Sequence, residues 1–253
     1  MKNKNSTFFI VIASSFALAG WLKAGPPTVD DVGDVGSFGN NAIYMGAASG
    51  DITLQTAPCT TPTPTPTPSP PSVNPPNGEQ CFQIMDTTVT TPFDAENSCR
   101  INLPLNAAKT IIYPVLNFFY TYNMNNTTAS AAQARFQFTA NLTIVSTVLN
   151  DPSCIDPNTG APCDGRLTFQ FTPNRVFDDR HLDAGEHAEV RMTLTRAGNG
   201  GISKASLITE GLPSSLVDNL FKNPMTLQMN VIGTAQYVDF AQITTNMRLF
   251  GDH

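Results

Sequence analysis

From Arg135 to Leu149 the chain keeps an alternation that few folds can accommodate. Phe136, Phe138, Ala140, Leu142, Ile144 and Val148 hold the even positions, and Arg135, Gln137, Thr139, Asn141, Thr143 and Thr147 hold the odd ones. Period two places one set of side chains on one face of a pleated strand, whereas a helix would scatter them around its axis. A strand of this length spans roughly 45–50 Å at ~3.3 Å per residue. Full burial of its apolar face is worth on the order of 8–15 kcal/mol, an upper limit set by an extended unfolded chain. That gain requires a second layer. The expectation is an all-β protein, an antiparallel β-sandwich or flattened barrel.

The same alternation recurs along the chain. Ile101, Leu103 and Leu105 share one parity, and so do Leu116, Phe118, Tyr120 and Tyr122 within Thr110 to Tyr122, where Phe119 takes the other. Pro114 in that run predicts an edge or a bulge, since proline cannot donate to a ladder. Asn123 to Ala132 reads as a polar loop. Leu167, Phe169 and Phe171 alternate again, so residues 134–172 form one long hairpin. Its tip, Asp151 to Gly165, is a run of turn residues. Further strands are predicted at Asn41 to Met45, Asp51 to Thr56, Cys81 to Met85, His187 to Arg196, Met225 to Phe240 and Ile243 to Phe250. Gly233, where apolar parity shifts, predicts a bulge. Residues 203–222 break the pattern. Ser203 and Pro213 mark helix starts, and Leu207, Ile208, Leu212, Leu216, Val217, Leu220 and Phe221 recur at helical spacing. Two short helices are expected there, packed over one sheet edge or barrel end.

Leu182-Asp-Ala-Gly-Glu186, leading into the strand with Ala188, Val190, Met192 and Leu194 inward, resembles a recurrent turn of immunoglobulin-like and related exported sandwiches. The resemblance covers about fifteen residues and implies an immunoglobulin-like or jelly-roll-like layout.

The N-terminus sets the compartment. Lys2 and Lys4 precede an apolar run from Phe8 to Leu18, and small residues follow: the layout of a secretory signal peptide over residues 1–24, cut after Ala24 or Ala19. The run is short of the ~20 residues that span a bilayer, and no later stretch reaches that length. Removing residues 1–24 takes away Lys2, Lys4 and Lys23 and no acid, leaving 11 basic against 20 acidic side chains, a formal charge of −9. That balance argues against nucleic acid, whose phosphates need clustered Lys and Arg.

Residues 25–58 read as a Gly- and Asp-rich lead-in followed by short strands. The repeated Asp-Val-Gly at Asp31 and Asp34 reads as a solvated turn, with calcium as the alternative. Residues 25–56 are also a candidate strand donor to a neighbouring subunit. Residues 59–81 form a Pro/Thr-rich segment whose alternating prolines favour polyproline II, and Cys59 and Cys81 stand at its ends. Residues 82–253 carry the main sandwich, with 41–58 contributing strands. Five cysteines in an exported chain imply disulfides and one cysteine left over. Cys154–Cys163 closes a short loop and Cys59–Cys81 ties the proline segment; Cys81–Cys99 is the competing pairing.

Chemistry-bearing clusters are few. Asp178, Asp179, His181, Asp183, Glu186 and His187 offer metal ligands within ten residues, but across a strand–turn–strand boundary where exposed turns collect such residues. Asp156-Pro-Asn-Thr-Gly160 hints at calcium but lacks the spacing of a helix–loop–helix site. Ser49 is one residue out of place for a nucleophile elbow, and Cys99 beside Arg100 is the remaining candidate nucleophile. Tyr113, Phe119, Tyr120 and Tyr122 are candidates for an aromatic platform that binds a glycan or small ligand, against the commoner fate of core packing. No cofactor is implied. The expectation is a non-enzymatic surface, matrix or filament-forming protein that associates with itself or with other surface proteins; a glycan- or ligand-binding module is the alternative.

Overall fold

The computed structural model describes residues 42–59, 79–170, 176–197 and 201–252. The signal-peptide reading, the Asp-Val-Gly turns and most of the proline-rich segment lie outside these residues.

The alternating segments form two sheets packed face to face. One sheet runs β2 (Gln80–Gln83), β1 (Ala42–Gln55), β11 (Val238–Asp252), β4 (Ile111–Asn125) and β8 (His187–Ala197), with β9 (Ile202–Ser203) also on β4. The second runs β3 (Thr91–Leu103), β10 (Met225–Gln236), β5 (Ala132–Val145) and β6 (Arg166–Gln170), with β7 (Val176–Leu182) sharing the outer side of β5. All pairings are antiparallel except β1 with β2, which is parallel.

The core lies between β4 and β5, as their parity requires. Ala134, Phe136, Phe138, Ala140, Leu142 and Ile144 are buried on β5, and Ile112, Leu116, Phe118, Tyr120, Tyr122 and Met124 on β4. Rings from the two sheets meet directly: Tyr122 and Phe136 centroids are 4.4 Å apart, and Phe138 lies 5.3 Å from Tyr120 and 5.7 Å from Phe118. Such aromatic pairs add roughly 0.5–1.5 kcal/mol each beyond their buried area.

β5 ends at Val145, earlier than the alternation suggested. Ser146 Oγ accepts from the Val148 amide and donates to Pro224 O at 3.1 Å, turning the chain into a 3-10 turn over Thr147–Asn150. Cys154–Cys163 pins the hairpin tip beyond it, with Cα atoms 5.5 Å apart. Cys59–Cys81 is the second bridge, leaving Cys99 free and buried. α1 (Lys204–Thr209) and α2 (Ser214–Lys222) start where expected. Ser203 and Ser206 exchange side-chain-to-backbone bonds as a capping box, and Pro213 precedes the first turn of α2. Leu216, Val217, Leu220 and Phe221 are buried, and α2 packs on α1 and on the 3-10 turn.

Four expectations are corrected. The two short strands within residues 41–56 are one continuous β1, irregular only between Tyr44 and Gly46. Within this chain β1 pairs with β11 along its length and with β2 at Ile52–Gln55, so residues 42–55 take up a sheet of their own chain rather than a neighbour's. Pro114 is buried in a central strand. It falls between the part of β4 paired with β8, from Val115 onward, and the part paired with β9, at Ile111 and Ile112. Gly233 keeps regular register with Phe93 and Phe138, so there is no bulge there. It is glycine because a Cβ would stand 2.4 Å from the Phe93 ring and 2.3 Å from Gln137 O. The β3–β10 ladder breaks instead opposite Asn230, where β3 inserts Glu96, Asn97 and Ser98, with Asn97 at φ 57°. Asn230 Oδ1 takes the Asn97 amide at 2.7 Å.

This bulge drives β3 against the other sheet. A Cβ on Gly50 of β1 would lie 2.0 Å from the Ser98 carbonyl oxygen, and Thr245 Oγ1 donates to Gly50 O at 3.0 Å. The two sheets therefore touch backbone to backbone at this corner. Replacing Gly50 with Ala should destabilise the fold by about 3 kcal/mol or more, since nothing but main chain can give way. Urea unfolding should show a lower midpoint with an unchanged slope; a midpoint equal to wild type would refute the contact.

Candidate functional site

Asp178 to His187 does not gather into one site, because alternate residues of β7 point to opposite sides. Asp178 and Arg180 pair with Phe136 and Ala134 and so take the core side, at the rim; Asp179 and His181 take the outer face. Asp178 accepts hydrogen bonds from the Tyr122 hydroxyl and from Arg180. Burial, then the Asp178 carboxylate, pushes the Tyr122 phenol up, and the same carboxylate raises Arg180. Asp179 is held below the usual carboxylate range by Gln133 and then Arg135. Glu186 accepts from the Asp183 amide at 2.7 Å, while His181 lies 3.6 Å from Asp183 with both side chains in solvent. His187 is exposed. Among the described residues no three His, Cys, Asp or Glu side chains come together to hold a metal. The metal-ligand reading of Asp178, Asp179, His181, Asp183, Glu186 and His187 is corrected accordingly. Asp151 and Asp156 are likewise engaged by their own turns, accepting from the Ser153 and Asn158 amides at 2.8 Å.

The aromatic platform is corrected in part. Tyr120 and Tyr122 are core residues. Phe119, 53% exposed, faces outward from the first sheet, and Tyr113 lies far along the same face. Tyr113 belongs to a different row. Phe250 of β11 is in register with both Tyr113 and Tyr44 of β1, and the Tyr44 and Phe250 rings are 5.7 Å apart. Tyr44 is 61% exposed. Arg248 stands on the same face in the adjacent row, and Asn246 and Asn117 in the one after. Sequence reading missed Tyr44 and Phe250 because a row across three strands depends on pairings some 200 residues apart.

On the outer face of the second sheet a shallow concavity of about 630 Å³ is lined by Pro92, Asp94, Gln137, Thr139, Ile232 and Thr234. Burial and then Glu96 raise the Asp94 carboxyl.

A third surface is the edge at β8. Its far side has no strand partner among the described residues. Val190, Met192 and Leu194 pair with Tyr122, Tyr120 and Phe118 and so face the core side. Yet Met192 is 53% exposed where Tyr120 is 4% exposed, because the second sheet stops short of β8. On the opposite face Glu189, Arg191 and Thr193 are exposed, and Arg191 Nε meets Glu189 Oε1 at 2.9 Å.

Cys99 is no nucleophile. It is fully buried, with Sγ 3.3 Å from Thr245 Oγ1, and burial pushes its thiol up to about 11. Arg100 points to the other face of β3, toward Asn102.

No known protein family matches the chain, and no curated protein matches it. Among solved structures it has a likeness to a chain of the IBDV viral particle at 9% identity, aligned over 83% of this chain and 34% of that one with a TM-score of 0.16. The chain spans about a third of that chain's length, and a likeness of this degree carries no argument.

Cys99 should resist alkylation at pH 8 in the native protein and react stoichiometrically once unfolded. Its raised value also sets a pH dependence. The stability it contributes is complete below its ordinary value of 9.0 and is lost as pH rises through about 11. Relative to Cys99→Ala, wild type should lose on the order of 2–3 kcal/mol across that window. Parallel stability curves for the two proteins would refute this.

Proposed function

We propose that this chain is an exported, non-enzymatic structural protein of a cell surface, matrix or filament, assembling by strand addition. The β8 edge carries the reading. It is an eleven-residue strand whose far side has no strand partner among the described residues and whose core-side Met192 is left half exposed by its own second sheet. Edges of this kind template pairing with another chain unless blunted. The leader-like residues 1–24 and the two disulfides support export, since such bridges persist in oxidising compartments. The titratable clusters support a non-enzymatic role, because each is spent on local turns or on holding the sheets together.

A second reading rests on the row of Tyr44, Phe250 and Tyr113 beside Arg248. Aromatic faces next to amide and guanidinium donors suit a glycan, so this face is the binding surface in that case.

Expression of the full chain in an exporting host tests the first reading. The protein should leave the cytoplasm, begin at Gly25 or Gly20, hold two disulfides, and sediment faster as its concentration rises. A cytoplasmic, reduced chain, or a monomer at every concentration, would end it. For the second reading, saturable binding on a glycan array should be lost in Tyr44→Ala with the melting temperature unchanged. An array without saturable binding excludes it.

A further inference from the structure

We infer that the partner at the β8 edge is a second copy of this chain, paired β8 to β8, antiparallel, about a two-fold axis at Val190. The inference rests on the assembly reading above and names its interface. β8 is self-complementary. Its exposed outer face carries one acid and one base two residues apart, Glu189 and Arg191, already in contact at 2.9 Å. An isologous two-fold contact brings each residue i against a residue j and j against i.

The register follows from two constraints. Core-side parity must match across the new pairing, because a one-residue slip would turn Val190, Met192 and Leu194 to the wrong face. This restricts the axis to a residue position. An axis at Arg191 sets Arg191 against Arg191 of the partner subunit, which directly opposed like charges disfavour. An axis at Met192 leaves Glu189 and Arg191 facing threonines. An axis at Val190 sets Glu189 against Arg191 of the partner subunit, twice. Each acid then touches its own Arg191 and the partner's Arg191, closing a square of four alternating charges. On the core side, Val190 meets Val190 of the partner subunit, and Met192 meets Ala188 of the partner subunit. Half-exposed Met192 is thereby shielded, and the far-side backbone groups of His187 to Thr193 in both strands are paired. Ion-pair networks of this kind contribute more than isolated surface pairs.

Charge exchange tests the interface on the full exported chain, with the dimer dissociation constant read by analytical ultracentrifugation. E189R and R191E should each weaken dimerisation roughly tenfold or more, because like charges then face one another. The double variant E189R/R191E should recover wild-type affinity. An equimolar mixture of the two single variants should also associate, because each copy then supplies the sign the other lacks. The circular dichroism spectrum should be unchanged throughout, since both side chains are exposed, and melting temperatures should coincide at concentrations where wild type is monomeric. If wild type assembles and the single variants assemble equally well, the β8 pairing is wrong and the assembly reading survives. If wild type is monomeric at every concentration, both fall.

Discussion

Tyr122 shows what holds the two layers together. Its ring lies 4.4 Å from that of Phe136 across the sandwich, and its hydroxyl donates to Asp178 on β7. One side chain thus joins the sheets through apolar contact inside and a charge-assisted bond at the rim. Dispersion and area burial favour the ring's place in the core, but a buried hydroxyl without an acceptor would cost about 1–3 kcal/mol. Asp178 removes that cost and is itself stabilised by Arg180. Of the polar residues of β7 that resemble metal ligands in sequence, Asp178 is therefore bound up with core packing. Its chemistry is used where the two layers close.

The parts of this fold legible in sequence are those set by near neighbours. The period-two runs of β4 and β5, the serine and proline helix starts, and the turn-rich loop closed by Cys154 and Cys163 all declare themselves within a few residues. What escaped depends on contacts distant in the chain. The bulge in β3 shows only where Ser98 meets Gly50 of the other sheet, and Gly233 is glycine because the Phe93 ring lies over it. A glycine at a parity shift reads the same whether it marks a bulge or a close approach; only the partner strand decides. β1 looked like two strands because Gly46 and Gly50 resemble turn residues locally, whereas β11 holds the whole segment extended.

The candidate surfaces divide the same way. That Tyr120 and Phe119 face opposite sides follows from alternation, but which side is core does not. The parity of the aromatic run made Tyr120 and Tyr122 companions of Phe118, and burial then claimed all three. The surviving aromatic surface is built across strands, Tyr44 beside Phe250 beside Tyr113, and no single strand contains it. The exposure of Met192 on the core side of β8 is equally hidden in sequence. Val190, Met192 and Leu194 look like any buried alternation, and only the width of the opposite sheet leaves Met192 in solvent.

The four sheet edges are managed differently, and the contrast isolates β8. β2 is four residues long, anchored through Cys81 to Cys59, and covers only Ile52–Gln55 of β1; the rest of that edge is irregular between Tyr44 and Gly46 and pressed on by Ser98 of β3 at Gly50. β3 is long but bulged at Glu96 to Ser98, pressed against β1, and carries two acids, Asp94 and Glu96. Its Glu96 carbonyl is already taken by Gln80 Nε2 at 2.7 Å. β6 and β7 divide one edge into two short pieces, and β7 carries half-buried Asp179 and exposed His181 on its outer face. Shortness, bulging and charged side chains are the usual means of keeping edges from pairing. β8 has only the last, in Glu189 and Arg191. It is regular along eleven residues, in unbroken register with β4, and its two central charges are of opposite sign. Opposite charges in this arrangement repel neither themselves nor their mirror, so they select a partner with the same pattern reversed, and an antiparallel copy of β8 is such a partner.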